Sequence, residues 1–341
     1  MQSASQLIAQ QIPQFHIDDI NGLPTFLAKQ ATPVVIRDVC THWPLVQSAK
    51  HSDEQALAYL QSIASSSPVR AFSAPSSEQG RYFYNTDMTG LNFTQYTSNL
   101  EQLLDTLKQS KTQQQPDSHY MGSTACDYCA PEFTVQNPLE VTAHNCLKSL
   151  WVGNHSRISA HYDNADNLAC VAAGSREFIL FPPDQVNNLY IGPLEFTPAG
   201  QAVSLVDFAA PDFNRFPRFK NALNNALIAK LQPGDGIFIP ALWWHHVSAQ
   251  SQFNVLVNYW WRQAPGYLAN PFDAMLHSML AIKDLPQSQR DHWQQLFAHY
   301  VFSEESELDT AIAPAAKGIL GEIDEHTARK VRQLLIQKLN R

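Results

Sequence analysis

The sequence predicts a mainly β fold with added α elements: a sandwich or barrel carrying mixed elements before it and helices after it. Three observations lead there. From about residue 118 to 262, short runs rich in β-branched and aromatic residues alternate with Gly, Pro, Asn and Asp turns. Upstream, helical and strand patterns mix; after "WWRQAPGY" only helical spacing remains. Hydrophobic residues make up 44% of the 341 and charged residues 16%, so the chain can bury a large core and is not disordered by composition.

Taken in order, "GLPTFLA" reads as a short helix and "TPVVIRDV" as an apolar, β-branched strand that ends at Trp43-Pro44. "DEQALAYLQSIA" has helical spacing, with Asp53 as the expected N-cap. "PVRAFSA" and "RYFYNT" read as a strand pair around a Ser/Gly-rich turn. "NFTQYTSNLEQLLDTLKQS" reads as one amphipathic helix with Leu100, Leu103, Leu104 and Leu107 on one face, and the polar "KTQQQPDS" as a loop. The expected strands then run "SHYMGS", "SLWVGN", "ISAHYD", "NLACVAA", "REFILFP", "AVSLVD", "GDGIFIP", "WHHVSAQ" and "FNVLVNYWW". A long insert, 184–220, rich in Pro, Phe and Asn, interrupts them, and a loop of that length in a compact domain is usually functional. Three helical patterns close the chain, with apolar stripes at Leu276, Met279, Leu280 and at Trp293, Leu296, Phe297, Tyr300. The boundaries this implies are 1–117 for N-terminal α/β elements, 118–265 for the β core and 266–341 for a helical segment.

Charge narrows the function classes. The formal net charge is −8 with only 23 Lys and Arg, and no dense basic run argues for a nucleic-acid partner. The N-terminus lacks a basic n-region and a long apolar h-region, and no apolar run reaches membrane-span length, so a cytoplasmic protein without membrane attachment is expected. Five scattered cysteines suit a reducing compartment better than a disulfide framework.

The chemistry concentrates in "ISAHYDNADNLACVAAGSREFILFPP". On a strand, residues two apart face the same side, so His161 and Asp163 would point together. A lone His-x-Asp is also the pattern of a surface pair. A facial metal site of two histidines and one carboxylate needs one further His on a neighbouring strand. "GDGIFIPALWWHHV" offers His245 and His246, which a strand must send to opposite faces, so only one of them can join. "CDYC" at 126–129 is a lone Cys-x-x-Cys, read as structural thiols, with His144 and Cys146 nearby leaving a zinc site open.

Those segments, with "NVLVNYWW" after them and "PVVIRDVCTHWP" before, resemble the JmjC-type cupin-like oxygenases, most of all the asparaginyl hydroxylase of hypoxia-inducible factor and its bacterial relatives. The resemblance runs from roughly residue 20 to 265. It implies a double-stranded β-helix (cupin or jelly-roll) core and an enzyme that uses Fe(II), 2-oxoglutarate and O2. It implies His161, Asp163 and His245 as metal-binding and catalytic residues, with His246 facing away. It places Arg176 where the family has a Lys for the distal carboxylate of 2-oxoglutarate, a departure that keeps the charge but changes reach and geometry. Asn167 and Asn258 match polar positions beside the co-substrate, Tyr120 matches a Tyr at its distal end, and Trp260 an aromatic beside the metal pocket. The family's Thr three residues before the first ligand is Ile158 here, with Ser159 or Ser156 as the substitute hydroxyl. The implied substrate is a protein side chain or an amino-acid-like small molecule, framed by the insert and the loops around 85–95. The resemblance also implies a homodimer through the C-terminal helices. The departures at Arg176 and Ile158 keep a second reading open: a metal-binding cupin with a different reaction or none.

Overall fold

Strand alternation builds two sheets whose apolar faces meet. The computed structural model describes residues 2–142, 146–303 and 312–340. Its strands in chain order are β1 (Gln10–Gln11), β2 (Gln14–His16), β3 (Val34–Arg37), β4 (Val69–Ala74), β5 (Arg81–Tyr82), β6 (Thr94–Ser98) and β7 (Ser118–Ala125). There follow β8 (Leu147–Gly153), β9 (Ser156–His161), β10 (Asp166–Ala173), β11 (Arg176–Phe181), β12 (Leu227–Leu231), β13 (Gly236–Ile239), β14 (Trp244–Ala249) and β15 (Asn254–Trp261). One sheet orders them β1-β12-β11-β14-β9-β5, the other β2-β3-β13-β10-β15-β8-β7-β4-β6. The jelly-roll type of core expected from the sequence is therefore present.

Between the sheets, Phe178 and Leu180 of β11 and Ala229 and Leu231 of β12 pack on Ala169 and Val171 of β10 and Ile237 and Ile239 of β13. The alternate residues of the same strands face outward. Leu168 and Cys170 of β10 join a core under the helices at Pro44–His51, Asp53–Ile63 and Leu100–Ser110. Ile179 and Phe181 of β11 join another beneath the insert, with Phe208, Phe216 and Phe219. Both faces of each central strand are thus covered, which explains why β10 and β11 read as nearly unbroken apolar runs.

Several local expectations are corrected. Ser52, not Asp53, caps its helix: the Ser52 hydroxyl accepts from the Gln55 N–H at 3.2 Å, leaving Asp53 to pair with Lys111 at 2.9 Å. "PVRAFSA" and "RYFYNT" do not pair with each other. β4 pairs with β6 and β7, whereas β5 lies parallel to β9 in the other sheet, because the turn between them is where the chain changes sheets. "NFTQYTSN" is not helical: the Thr/Tyr alternation at 94–98 makes β6, and Asn99 caps the helix at Leu100 by accepting from the Gln102 N–H at 2.9 Å. "AVSLVD" supplies only an isolated bridge, Ile191 to Ser204. "LIAKL" is a strand, and Trp43-Pro44 opens a helix with Pro at its first turn, where its missing N–H costs nothing.

The chain divides into two compact units, Met1–Trp261 and Arg262–Arg341. The second contains the helices Pro271–Ile282, Gln287–Tyr300 and Glu325–Leu339. The first two bury none of their residues. Among the described residues no helix is long and apolar enough to cross a membrane.

Candidate metal and co-substrate site

β14 lies between β11 and β9, and His245 stands directly opposite His161 in the register. Simple alternation would not carry His161 inward together with Ile158. A bulge does: two residues of β9, Ser159 and Ala160, stand against one of β14, His246, between the pairs Ile158–Val247 and His161–His245. Ile158 and His161 both reach the interior, while Ala160 packs on the outer core. β9 ends at His161, so Asp163 is held beyond the strand, where its carbonyl accepts from the Leu242 N–H at 2.8 Å. Tyr162 between them turns outward onto Trp244, ring centroids 4.9 Å apart.

The donor atoms of His161, Asp163 and His245 lie within 4.8 Å of one another. The imidazoles are 4.4 Å apart, and His245 Nε2 is 3.8 Å from the Asp163 carboxylate. Each Nδ1 is committed elsewhere: His161 donates to the Ser159 carbonyl at 2.9 Å and His245 to the Trp243 carbonyl at 3.0 Å. A carbonyl only accepts, so Nδ1 carries the proton and the Nε2 lone pairs are left for an ion, the usual arrangement behind metal-binding histidines. Burial, then the neighbouring His161, hold His245 down to about 4 against the opposing pull of Asp163. It is therefore neutral at pH 7 and able to ligate. His246 points the other way, its ring stacked on Phe208 at 4.3 Å and its Nε2 3.2 Å from the Ser248 hydroxyl. Two imidazoles and a carboxylate suit Fe(II), and with three protein ligands they leave coordination positions open. Among the described residues this is the group able to hold a metal. Cys126 and Cys129 are fully buried, and burial pushes their thiols up, that of Cys129 to about 12. They act as core thiols, and His144 lies outside the described residues.

The triad opens into a cavity of about 640 Å³ that Arg176, Asn167, Asn258, Tyr120 and Trp260 also line. Asn258 Nδ2 donates to Asn167 Oδ1 at 2.8 Å across β15 and β10. Tyr120 stacks on Phe72 at 5.0 Å and lies nearly parallel to Trp151 at 6.3 Å, and its burial raises the phenol. Arg176 is only 8% exposed, makes no ion pair among the described residues, and has a buried Nε without a partner. Burial lowers it from the usual arginine value to about 10, which leaves it charged at neutral pH. Asn258 Oδ1 and the indole N–H groups of Trp151 and Trp260 are likewise buried without partners, and all line this cavity. Buried polar groups are ordinarily satisfied, so three orphan donors and one orphan acceptor around one cavity suit a polar ligand, and the Arg176 cation among them suits a carboxylate. The dicarboxylate 2-oxoglutarate fits that requirement.

Ile158 does line the cavity, but neither Ser159 nor Ser156 does; the hydroxyls that reach it are those of Tyr120, Ser123 and Thr124 and, from the insert, Thr197. Ser123 and Thr124 arrive through a register break between β7 and β8 after Met121. Leu91, Phe93 and Gln95, and residues 197–201 of the insert, also line the cavity. Sequence reasoning missed Arg70 and Phe72. The signal was present in "VRAFSA", whose alternation puts those two on one face, opposite Val69 and Ala71 in the core.

Comparison with known proteins agrees with this geometry. A family model described as a cupin-like domain matches residues 23–267. The chain is 32% identical over 138 residues to lysine-specific demethylase JMJ31 of Arabidopsis thaliana, covering 40% of this chain and 24% of that protein. It is 37% identical over 105 residues to tRNA wybutosine-synthesizing protein 5 of Danio rerio, covering 31% and 29%. It is 27% identical over 255 residues to Jumonji C domain-containing protein 5 of Drosophila melanogaster, covering 73% and 59%. The match thus spans less than two thirds of each of these relatives.

Proposed function

The chain belongs to the cupin-like domain family of JmjC-type proteins, and from that membership we propose that it is an Fe(II)- and 2-oxoglutarate-dependent dioxygenase. Its proposed substrate is a protein side chain or an amino-acid-like small molecule, which it hydroxylates. The observation that carries this reading is Arg176: a buried cation without a counter-ion, in the same cavity as His161, Asp163 and His245.

In this reading His161 Nε2, His245 Nε2 and the Asp163 carboxylate hold the metal. When bound, Fe(II) supplies the coupling of two oxidations: 2-oxoglutarate loses CO2 and gains one atom of O2 to become succinate, and a substrate C–H becomes C–OH with the other. The protein's own residues bind and orient. Arg176 offers its fork of N–H donors to the distal carboxylate. Asn167 and Asn258, already bonded to each other, border the co-substrate, with Tyr120 on the aromatic wall. Phe178, Val247 and Leu256 line the interior side and exclude water from the reacting end. Ile158, in place of a hydroxyl, leaves more of the co-substrate's hold to Arg176.

Turnover tests this. With Fe(II), 2-oxoglutarate and air, wild type should release succinate above a His161→Ala control, and no excess in the presence of candidate peptides and amino acids would refute the oxygenase. We further propose self-association through the C-terminal helices, where Leu280, Trp293, Leu296 and Tyr300 are 82%, 44%, 43% and 52% exposed. Light scattering should give twice the chain mass, and a monomer at all concentrations would contradict it.

A further inference from the structure

The site's rim is one-sided in charge. In a chain of net charge −8, the cavity carries two arginines, Arg70 and Arg176, and a single carboxylate, Asp163, which belongs to the metal group. Arg176 lies on β11 inside the barrel. Arg70 lies on β4 of the opposite sheet, exposed, with Phe72 next to it on the same face. Among the described residues the Arg70 side chain makes no ion pair or hydrogen bond. Its cross-strand partner on β6 is Thr97, and Phe72 faces Gln95, so nothing beside it on the sheet is acidic. The rest of the rim is uncharged: Leu91, Phe93 and Gln95 on one side, residues 197–201 of the insert on the other. Phe72 and Phe93 meet edge to face at 5.7 Å and form an apolar surface in the same cavity as Arg70. Gly122 leaves room for the neighbouring aromatic wall, since a Cβ there would come within 3.0 Å of the Tyr120 ring and 3.2 Å of Trp151.

We infer that Arg70 is a specificity residue that reads a carboxylate on the primary substrate, next to an apolar portion resting on Phe72 and Phe93. The inference rests on the oxygenase reading and sharpens it by naming the substrate's chemistry. The co-substrate leaves Arg70 unused, because a dicarboxylate spans the metal and one cation, and Arg176 is the buried one. A lone cation on an otherwise neutral rim recognises one carboxylate, as in an Asp- or Glu-bearing peptide or a free amino acid. A polyphosphate backbone calls for a row of cations that this rim lacks.

The test uses the full chain with Fe(II), 2-oxoglutarate and air, and reads both a gain of one oxygen in the probe's mass and matching succinate. The probes are a peptide pool rich in Asp and Glu, an otherwise identical pool rich in Lys and Arg, a set of free L-amino acids, and a mixed-sequence RNA oligomer. Wild type should oxidise a carboxylate-bearing probe at least about fivefold faster than the Lys/Arg pool, the scale of one partly exposed ion pair. Arg70→Glu should abolish or reverse that ratio, and Arg70→Lys should retain it. The peptide and amino-acid arms distinguish the two sources of the carboxylate. Product whose acidic preference is the same in Arg70→Glu overturns the inference alone, as does a wild-type preference for the basic pool or for RNA. No product and no succinate in any arm, against the His161→Ala control, overturns the oxygenase reading and this inference with it.

Discussion

Replacing Arg176 with Met should weaken 2-oxoglutarate binding without weakening the fold. Arg176 is buried and unpaired, and its fall from the usual arginine value to about 10 corresponds to about 3 kcal/mol of penalty on the charged form. Met keeps an aliphatic stem of similar length and removes that penalty. Some packing at the guanidinium is lost, worth about 1–2 kcal/mol. The ligand-free variant should therefore melt at or above the wild-type temperature. The co-substrate loses a charge-assisted, two-pronged contact worth about 2–3 kcal/mol, so its Kd should rise by about 30- to 150-fold. Anaerobic calorimetry with Fe(II)-loaded protein gives the affinity, and thermal melts with and without 2-oxoglutarate give both stabilities. An affinity within twofold of wild type would refute the anchor. A large drop in the ligand-free melting temperature with affinity intact would make Arg176 a structural residue instead.

Other consequences follow from single positions. His245→Ala should lower metal affinity by about 100-fold or more, whereas His246→Phe, which preserves the stack on Phe208, should leave it within about threefold; equal losses would break the assignment of faces. Gly174→Ala should destabilise by about 2 kcal/mol or more in denaturant melts, because Gly174 has φ +71° and a Cβ there would sit 2.4 Å from the Phe253 carbonyl oxygen; an unchanged midpoint would contradict this. Of the five thiols, Cys40, Cys126, Cys129 and Cys170 are buried and Cys146 is half-buried, so a thiol reagent should titrate at most one quickly in the native protein and all five after unfolding. Rapid reaction of two or more would show that the core is not closed.

How much the sequence disclosed depended on where each signal was local. Strands buried on both faces, such as "NLACVAA" and "REFILFP", announced themselves as apolar runs. The choice of His245 over His246 followed once alternation required a split and the family pattern fixed its direction. What was hidden came from pairing between distant segments. "RYFYNT" gives no sign that its first two residues cross to the other sheet to lie parallel to β9. The bulge at Ser159–Ala160 cannot be read from composition, yet it brings both Ile158 and His161 inward. For the same reason Ser159 looked like a usable hydroxyl by spacing and does not line the cavity. Thr94–Ser98 preceded a strong helix, and the helical periodicity overran a segment that sheet pairing with β4 claims. Arg70 went unnoticed because one arginine in a short strand carries no motif; only the cavity around it gives it meaning.

The most direct test is a crystal structure of the protein grown without oxygen with Fe(II) and 2-oxoglutarate. One metal ion is expected on His161 Nε2, Asp163 and His245 Nε2, with the 2-oxo acid on the metal and its far carboxylate paired to Arg176. Metal bound elsewhere, or a carboxylate that leaves Arg176 unpaired, would contradict it.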